Sequence, residues 1–552
     1  MLYIKVFFII VYMDKILILD FGSQTTALIG RRIREAGVFA EIIAGDSQIT
    51  PNLLQDVCGI IFSGSPESVY DKGALPCKQI YEYKFPLLGI CYGMQRMMFD
   101  LGGAVEPLPI AEYGAVEVKL DIPYNIAALN KKAAAFLEPL NGKTFTSWMS
   151  HGDTVTRIAD GFVEIAHSAT SPAIVIHESK PFFAVQFHPE VTHCEYGIEV
   201  INAFVFGVCG CKKSWTMEQY LQDAAEKIKA RVKNDQVLLL ISGGVDSTVA
   251  GAMLLKILDP DNVHLMYMDT GLMRKNETEL VSAALKKLGA RHLHIIHCED
   301  EFLTALKGLS EPEKKRKIIG DLFIQIQERE VARLGMPQAY FLAQGTLYTD
   351  LIESGKGVGA KAHIIKSHHN VGSPLVEAKR KDGRIIEPLD LLYKDEVRAL
   401  GRLLNLDETI VGRHPFPGPG LAVRILGEVT AEKCRILRAA DAVFIEELKK
   451  RTVRSAGGCL AANKKSLYDD IWQAFAVLLP VNSVGVAGDV RKYGQVLALR
   501  AVTSQDGMTA DVYPFDTKDL LEISALITNK VPEIGRVCYD ISSKPPSTIE
   551  WE

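Results

Sequence analysis

The sequence predicts an α/β protein in three parts: an open sheet covered by helices on both faces, a second parallel-sheet domain, and a small α+β domain. From Lys15 to about Cys211, short apolar runs alternate with amphipathic segments, the pattern of an open sheet. Val237 to Ile241 is a continuous apolar run. It is followed by Ser242-Gly243-Gly244-Val245-Asp246-Ser247-Thr248 and a helix-patterned stretch from Val249 to Leu258, giving strand, glycine turn and helix in succession. The stretch His414 to Arg424, dense in proline and glycine, cannot continue a helix and reads as a rigid linker. Beyond it a helix from about Thr430 to Arg451, several strands and a helix near Thr517 to Ile527 suggest the compact α+β domain. The expected divisions are an extension over 1–13, then domains over 14–211, 212–425 and 426–552.

Bulk composition narrows the function before any motif is read. With 552 residues, 48% of them hydrophobic and 23% charged, the chain is long enough for about three or four domains with full cores. A formal net charge of −5 supplies no global basic field, so duplex nucleic acid is not an expected partner. Ten cysteines are scattered without framework spacing, which fits reduced thiols better than a disulfide scaffold. Cys209-Gly210-Cys211 is the only close pair, with no second pair at zinc-site spacing. The first twelve residues, MLYIKVFFIIVY, are too short to span a bilayer and lack a small-residue cleavage site, so an extension is expected there rather than an export signal. No other stretch approaches transmembrane length, and the expectation is a cytoplasmic protein with no membrane partner.

In the first part the chemistry centres on Cys91. Pro86 to Ile90 reads as a buried strand, Cys91-Tyr92-Gly93 as a sharp turn and Met94 to Leu101 as a helix. The thiol thus sits at a strand-to-helix elbow, where the helix start favours a thiolate. A buried, inert cysteine is the ordinary alternative; the glycines on both sides argue for an exposed thiol at a constrained turn. A thiolate nucleophile needs a base, and the base needs an orienting group. Phe182 to Phe187 is an apolar strand ending in His188-Pro189-Glu190.

The strings GICYGMQ and VQFHPEV, in that order, resemble the triad-type class I glutamine amidotransferases. The resemblance implies that Cys91 attacks the glutamine side-chain amide, His188 accepts and then delivers the proton, and Glu190 holds the imidazole, so that ammonia and glutamate leave. It also implies an oxyanion loop at Ile60 to Pro66, with Gly64 and the Tyr92 N–H as donors. Ser65 stands where that family usually has a second glycine, a substitution that hurts if the peptide needs a glycine-only conformation. Gln95 and the run Ser147 to Asp153 match the family around the glutamine pocket, while packing accounts for Trp148 equally well.

Lys212-Lys213-Ser214 marks a polar boundary, and Met217 to Val232 reads as a connecting helix. In the glycine turn that follows, paired glycines let a ligand approach the backbone, and the N–H groups and dipole of the helix start favour an anion. No lysine follows the second glycine, so this is not a Walker loop. SGGVDST resembles instead the pyrophosphate-binding loop of the N-type ATP pyrophosphatases, which implies that Ser242 to Thr248 bind ATP and that a substrate oxygen is adenylated. Asp269, ending a second parallel strand from Val263, is a nucleotide contact or a helix cap. Glu313 to Gly320 opens a long helix whose basic first turn opposes the macrodipole, as a solvated face or as an anion site. Ser354 to Gly359 is a lysine-bearing loop of the kind that orders over a triphosphate. His368-His369 lacks a third ligand at spacing, so substrate or ATP contacts are preferred and no protein metal site is expected.

KRKIIG, AQGTLYTD, IKSHHN, HPFPGPGLAVR and KPPSTIEWE, standing with SGGVDST behind a glutaminase, resemble the glutamine-hydrolysing GMP synthases from about Lys15 to the last residue. The resemblance implies that ATP adenylates the C2 oxygen of XMP, with Mg²⁺ held mainly by pyrophosphate oxygens and carboxylates, and that ammonia from glutamine then displaces AMP. It implies lid roles for Asp350, Glu353, Lys356 and Lys366, and XMP contacts from Arg316, Gln473, Lys544, Ile549 and Glu550. It implies a homodimer formed through the C-terminal domain, in which Ser455 to Lys465 is only a short loop. A CTP-forming ligase would carry a kinase-type loop, and an NAD synthetase would lack the KPPSTIEWE tail. A tRNA-modifying pyrophosphatase would need RNA-binding segments or a CxxC pair. A degenerate nucleotide-binding regulator would have lost the nucleophile, the base or the loop.

Overall fold

The computed structural model describes residues 13–71, 78–122, 130–140, 142, 144–337, 339–353, 374–453, 465–487, 490–504 and 509–552. Residues 1–12 of the N-terminal extension, the Ser354 to Gly359 loop with Lys356, Lys366, His368, His369, and the Ser455 to Lys464 part of the expected short loop lie outside them. The chain packs as two units, one of residues 1–220 with 348–367, the other of residues 221–347 with 368–552.

Short apolar runs become nine strands of one sheet in the first unit: β1 (Lys15–Asp20), β2 (Phe39–Ala44), β3 (Val57–Phe62), β4 (Leu87–Ile90), β5 (Ala104–Leu120), β6 (Phe145–Arg157), β7 (Phe162–His167), β8 (Pro172–His177) and β9 (Phe182–Val185). Their order is β2-β1-β3-β4-β9-β8-β7-β5-β6. Pairing is parallel from β2 across to β9 and antiparallel from β9 across to β6. β4 and β9 are buried along their whole length, as the central strands of a covered parallel sheet must be. The core of this unit joins Leu17, Ile60, Met94 and Phe182. The helix Tyr348–Glu353 belongs to the same unit: the Ile42 amide donates to the Tyr348 hydroxyl at 2.7 Å, and the Arg34 guanidinium lies 4.6 Å from the Tyr348 ring centre.

In the second unit β10 (Val237–Ile241), β11 (Val263–Asp269), β12 (His292–His297), β13 (Phe341–Ala343) and β14 (Ile385–Ile386) pair in parallel in the order β12-β11-β10-β13-β14. Strand order reverses between β10 and β13, and a crevice at such a switch point is where ligands bind in open α/β sheets. A second sheet of β15 (Gln473–Ala487), β16 (Val490–Thr503), β17 (Asp511–Val512) and β18 (Ile534–Tyr539) packs with the helices Ala431–Lys450 and Thr517–Lys530. One continuous core runs from Leu238 and Met266 through Leu421 to Phe444 and Ile523, so packing does not break near residue 425.

The stretch expected as a linker is buried. Leu421, Ala422, Val423 and Arg424 are inaccessible, and Gly420 at φ +64° lies so close to Leu272 that a Cβ there would stand 2.3 Å from its carbonyl oxygen. Proline and glycine stop the α-helix, as the sequence implies, but the chain then forms a short 3-10 turn, Gly420–Arg424, whose Leu421 and Ala422 pack into the core.

Candidate active sites

Cys91 follows β4 and precedes the helix Tyr92–Asp100, with φ at 52°. A side chain at positive φ is strained and persists where surrounding structure fixes it. The fixing is visible: the Cys91 amide donates to the Val185 carbonyl at 2.8 Å. A Cβ on Gly93 would lie 2.4 Å from the Phe62 carbonyl oxygen, and one on Gly89 would lie 2.6 Å from that of Gly93. Cys91 itself is only 4% exposed. The expected exposure is thus not found, because the flanking glycines serve close approach of helix to strand rather than an open turn. The thiol donates to the Ser150 carbonyl at 3.6 Å and accepts from Gln186 Nε2 at 3.7 Å.

His188 enters just beyond β9, its amide donating to the Trp148 carbonyl at 2.9 Å. Its Nδ1 lies 2.7 Å from Oε1 of the fully buried Glu190, so Nε2 is the nitrogen left to face substrate chemistry. Burial alone would lower the His188 pKa; the charges of Glu190 and then Cys91 outweigh it and hold the imidazole well above its ordinary value. Sulfur and imidazole therefore stand as a nucleophile beside a proton carrier. Gly64 lies against this pair, since a Cβ there would come within 3.2 Å of His188 Cε1. Ser65 is not among the described residues with positive φ, and its hydroxyl accepts from the Glu67 amide at 3.1 Å, so the turn does not demand glycine there. Gln95 donates to the Asp153 carbonyl at 2.7 Å and to Gln186 Oε1 at 3.3 Å. The Trp148 and His193 rings lie 4.8 Å apart, tilted by 34°. Gln186, the side chain touching the sulfur, was missed by sequence reasoning; it lies just past the end of β9, two residues before His188.

In the second unit the loop after β10 leads into the helix Val245–Ile257, whose first-turn N–H groups have no acceptor within the helix. Gly243 at φ +80° makes the turn, and a Cβ at exposed Gly244 would touch only Ser242 Oγ, at 3.4 Å, leaving its outer face open. Ser242 and Ser247 hydroxyls lie 3.1 Å apart, and Thr248 Oγ1 donates to the Gly244 carbonyl at 2.8 Å, holding the loop in shape. Lys394 Nζ donates to Asp246 Oδ2 at 2.8 Å. Arg413 donates to the Gly243 carbonyl at 2.7 Å and pairs with Glu277. The arrangement is an anion cradle with cations at its rim, and Lys394 and Arg413 were not singled out from the sequence because they arrive from distant helices and loops. Both Asp269 oxygens are taken within the protein, by the Gly271 amide at 3.2 Å and Thr278 Oγ1 at 2.8 Å.

The tail expected to meet the second substrate is docked. Glu550 takes a two-pronged contact from fully buried Arg424 at 2.8 and 3.1 Å and a bond from Gln473 Nε2 at 2.8 Å. Ile549 is buried beside Phe475. The Lys544 and Ala510 backbones exchange two hydrogen bonds, at 2.7 and 3.0 Å. Arg316 donates to the Glu552 carbonyl, and Lys315, fully buried, pairs with the Glu552 carboxylate at 2.6 Å. The basic first turn is therefore partly buried rather than a fully solvated face. The structure brings Arg316, Gln473, Ile549 and Glu550 onto one tail-lined region; Asp350 and the helix carrying Glu353 lie in the other unit from Ser242 to Thr248.

A thiol elbow with its histidine and glutamate, joined in one chain to an anion loop at a parallel-sheet switch point, defines the class: an amidotransferase fused to an ATP-pyrophosphatase-type synthetase. Residues 17–208 match the glutamine amidotransferase class-I family, 216–345 the NAD synthase family, and 461–551 the GMP synthase C terminal domain. The GMP synthase (glutamine-hydrolyzing) of Agrobacterium fabrum is 46% identical over 550 residues, covering 98% of this chain and 99% of its own. Those of Aquifex aeolicus, 46% over 541 residues with 97% and 99% covered, and Methylobacillus flagellatus, 47% over 546 residues with 98% and 100% covered, are equally near. The chain belongs to the glutamine-hydrolysing GMP synthase family.

Proposed function

We propose that this chain makes GMP from XMP, ATP and glutamine, releasing AMP, pyrophosphate and glutamate. The observation that carries the reading is the presence in one chain of the Cys91, His188 and Glu190 set and the Ser242 to Thr248 cradle, in a chain 46% identical to named GMP synthases along nearly its whole length.

In the glutaminase half Cys91 sulfur attacks the glutamine amide carbon, and the charge arising on oxygen meets the N–H groups of Tyr92 and the Gly64 loop. His188 passes its proton to the leaving ammonia, then takes one from the water that hydrolyses the thioester, while Glu190 keeps the ring in orientation. In the synthetase half the first-turn amides after Gly244 and the Ser242, Ser247 and Thr248 hydroxyls bind the pyrophosphate of ATP as the XMP oxygen attacks the α-phosphorus. Arg316 and Lys544 take the XMP phosphate, Gln473 and Glu550 its polar ring or ribose, with Ile549 packed beside them. Asp350, Glu353, Lys356 and Lys366 act as lid residues. A Mg²⁺ ion suits this chemistry: Asp246 Oδ1 is buried without a hydrogen-bond partner, and no group of three metal-ligating side chains stands among the described residues, so phosphate oxygens would complete its shell and it would neutralise their charge.

A homodimer is supported by the apolar β15–β16 ribbon, where Val484, Val486, Val490 and Tyr493 are 50 to 77% exposed. A cytoplasmic location is supported by the eight free thiols among the described residues; among those residues no helix is long and apolar enough to cross a membrane.

The test is AMP and pyrophosphate release from ATP by purified protein with magnesium, ammonium and a panel of XMP, UTP and deamido-NAD. XMP alone should support release, with GMP formed in equal amount. Release with another acceptor and none with XMP overturns the assignment.

A further inference from the structure

Lys315 closes the first turn of the helix Pro312–Leu334, its amide donating to the Glu311 carbonyl at 3.1 Å, and its side chain is fully buried. The macrodipole opposes an ammonium at a helix start, and burial strips it of water, so the position is costly twice over. Its hydrogen bonds offset that cost. Nζ donates to the Ala422 carbonyl at 3.3 Å, the Ile425 carbonyl at 2.8 Å and Glu552 Oε2 at 2.6 Å, which uses every N–H an ammonium has. The two carbonyls come from the turn Gly420–Arg424 and the residue after it. Only the carboxylate brings an opposite charge, and the Glu552 side chain is itself 7% exposed, so water does not screen the pair.

The same turn holds the tail a second way. Arg424, as inaccessible as Lys315, takes Glu550 at 2.8 and 3.1 Å. Glu550 and Glu552 are thus turned inward onto buried cations, while Trp551 between them is 37% exposed and donates from Nε1 to Asp540 Oδ2 at 3.0 Å. A hold at Glu550 alone would fix one point and let the tail pivot about it. The hold at Glu552 fixes its direction as well.

We propose that Lys315 and Glu552 are positioning residues of the XMP site: their ion pair latches the end of the tail to the Gly420–Arg424 turn and so sets where Ile549 and Glu550 meet the nucleotide, a role that rests on the tail being the segment that binds XMP. Lys315 acts through the tail and touches no substrate. Arg316, its neighbour on the helix, donates to the Glu552 carbonyl, so both residues grip the same tail residue. A displaced Glu552 therefore also misaims the guanidinium assigned to the XMP phosphate. When the latch is lost the tail is seated in only a fraction of the molecules, and the apparent affinity for XMP falls by that fraction. The binding of ATP at the Ser242 to Thr248 loop does not pass through this contact.

The test compares the full parent chain with Glu552→Gln, which keeps an accepting oxygen and removes the charge. Deuterium uptake by the peptide from Ile541 to Glu552 is read first, with no substrate present. Its reporters are the Lys544 amide, bonded to the Ala510 carbonyl at 2.7 Å, and the Ser547 amide, bonded to the Ser543 carbonyl at 3.1 Å. Exchange should quicken about ten-fold in the variant. Unchanged exchange overturns the latch, whether or not the chain turns over XMP. Initial rates with ammonium as nitrogen source follow: KM for XMP should rise about ten-fold, with KM for ATP within about two-fold of the parent. Faster exchange with an unaltered KM for XMP, or an equal rise for ATP, overturns the positioning role. Adding Glu552→Gln to Lys315→Met should change KM for XMP by less than about two-fold, since the partner is already gone. A second full rise would show that Glu552 acts without Lys315 and would overturn the pair. If Lys315→Met fails to fold, Glu552→Gln alone decides. A parent chain that forms no GMP from XMP refutes the assigned reaction, and tail exchange then decides the latch by itself.

Discussion

The two sites differ in what their charged groups face. Around Cys91 the polar atoms converge on one sulfur, with Gln186 at 3.7 Å and His188 held by Glu190 at 2.7 Å. In the second unit the charged groups face each other: Lys394 on Asp246, Arg413 on Glu277, Arg424 on Glu550, and Lys315 on Glu552. A nucleophile is part of the chain, so its surroundings can be assembled permanently. In the second unit, charges that would be costly to bury unpaired are paired within the chain instead.

The comparison breaks first at Cys91. Cys91→Ala should lower glutamine-dependent GMP formation by about 10³-fold or more while leaving ammonia-dependent formation near the parent rate. Parallel assays with glutamine and with ammonium as nitrogen source decide it; equal loss in both would mean that the units do not divide the chemistry.

Arg424→Met attacks the other side of the comparison. Arg424 is fully buried, stacks over Phe475 at 4.1 Å and holds Glu550 with two bonds. Its removal leaves a carboxylate whose strongest partner is gone, a loss of about 3 kcal/mol or roughly 10²-fold. That loss should appear as a raised KM for XMP, with glutaminase activity in the same sample unchanged. An unchanged KM would show that the Glu550 contact does not position the tail.

How much was legible in the sequence follows the same division. The Cys91 elbow, the His188-Pro189-Glu190 turn and the Ser242 to Thr248 loop were readable because each is local: strand, turn and helix start are adjacent in the chain. Gln186 stands in the same VQFHPEV string, two residues before His188, and that nearness was the signal that could have found it. Arg424, Lys315 and Arg413 could not, because their partners lie 126, 237 and 136 residues away. A buried arginine within HPFPGPGLAVR looks, in sequence, like any basic residue in a loop. The long β5, half exposed and carrying two prolines, likewise has no period that marks it as a strand.

Two histidines carry the comparison into pH. His414 Nδ1 accepts from the Ala474 amide at 3.0 Å while Nε2 donates to the Tyr468 carbonyl at 2.8 Å, so a second proton has nowhere to sit. Burial, chiefly, lowers its pKa to about 4. Because the folded value lies below the unfolded one of about 6.5, its contribution to stability is full above that pH and is lost as pH falls toward 4. The loss at pH 5 is roughly 2 kcal/mol. His188 has the opposite sign: its pKa is raised, so its contribution is full below about 6.5 and fades as pH rises through the folded value. Denaturant unfolding from pH 5 to 8 should show the second unit losing stability in acid, and His414→Gln should flatten that dependence; an unchanged slope would remove His414 as its source.

The smallest effect is expected at Ser65, and it tests how much of the first site lies in backbone rather than side chain. The Ser65 hydroxyl bonds the Glu67 amide within its own turn, and the residue needs no left-handed conformation. Ser65→Gly therefore removes one local bond and loosens the unfolded chain, a cost of about 0.5–1 kcal/mol, without touching Gly64 or His188. Glutaminase kcat/KM should stay within about two-fold of the parent, since catalytic geometry set by Gly64 is retained. A ten-fold fall, with the melting temperature nearly unchanged, would mean that the serine turn itself holds the Gly64 peptide in aim, and that the preassembly attributed to the sheet extends into this loop.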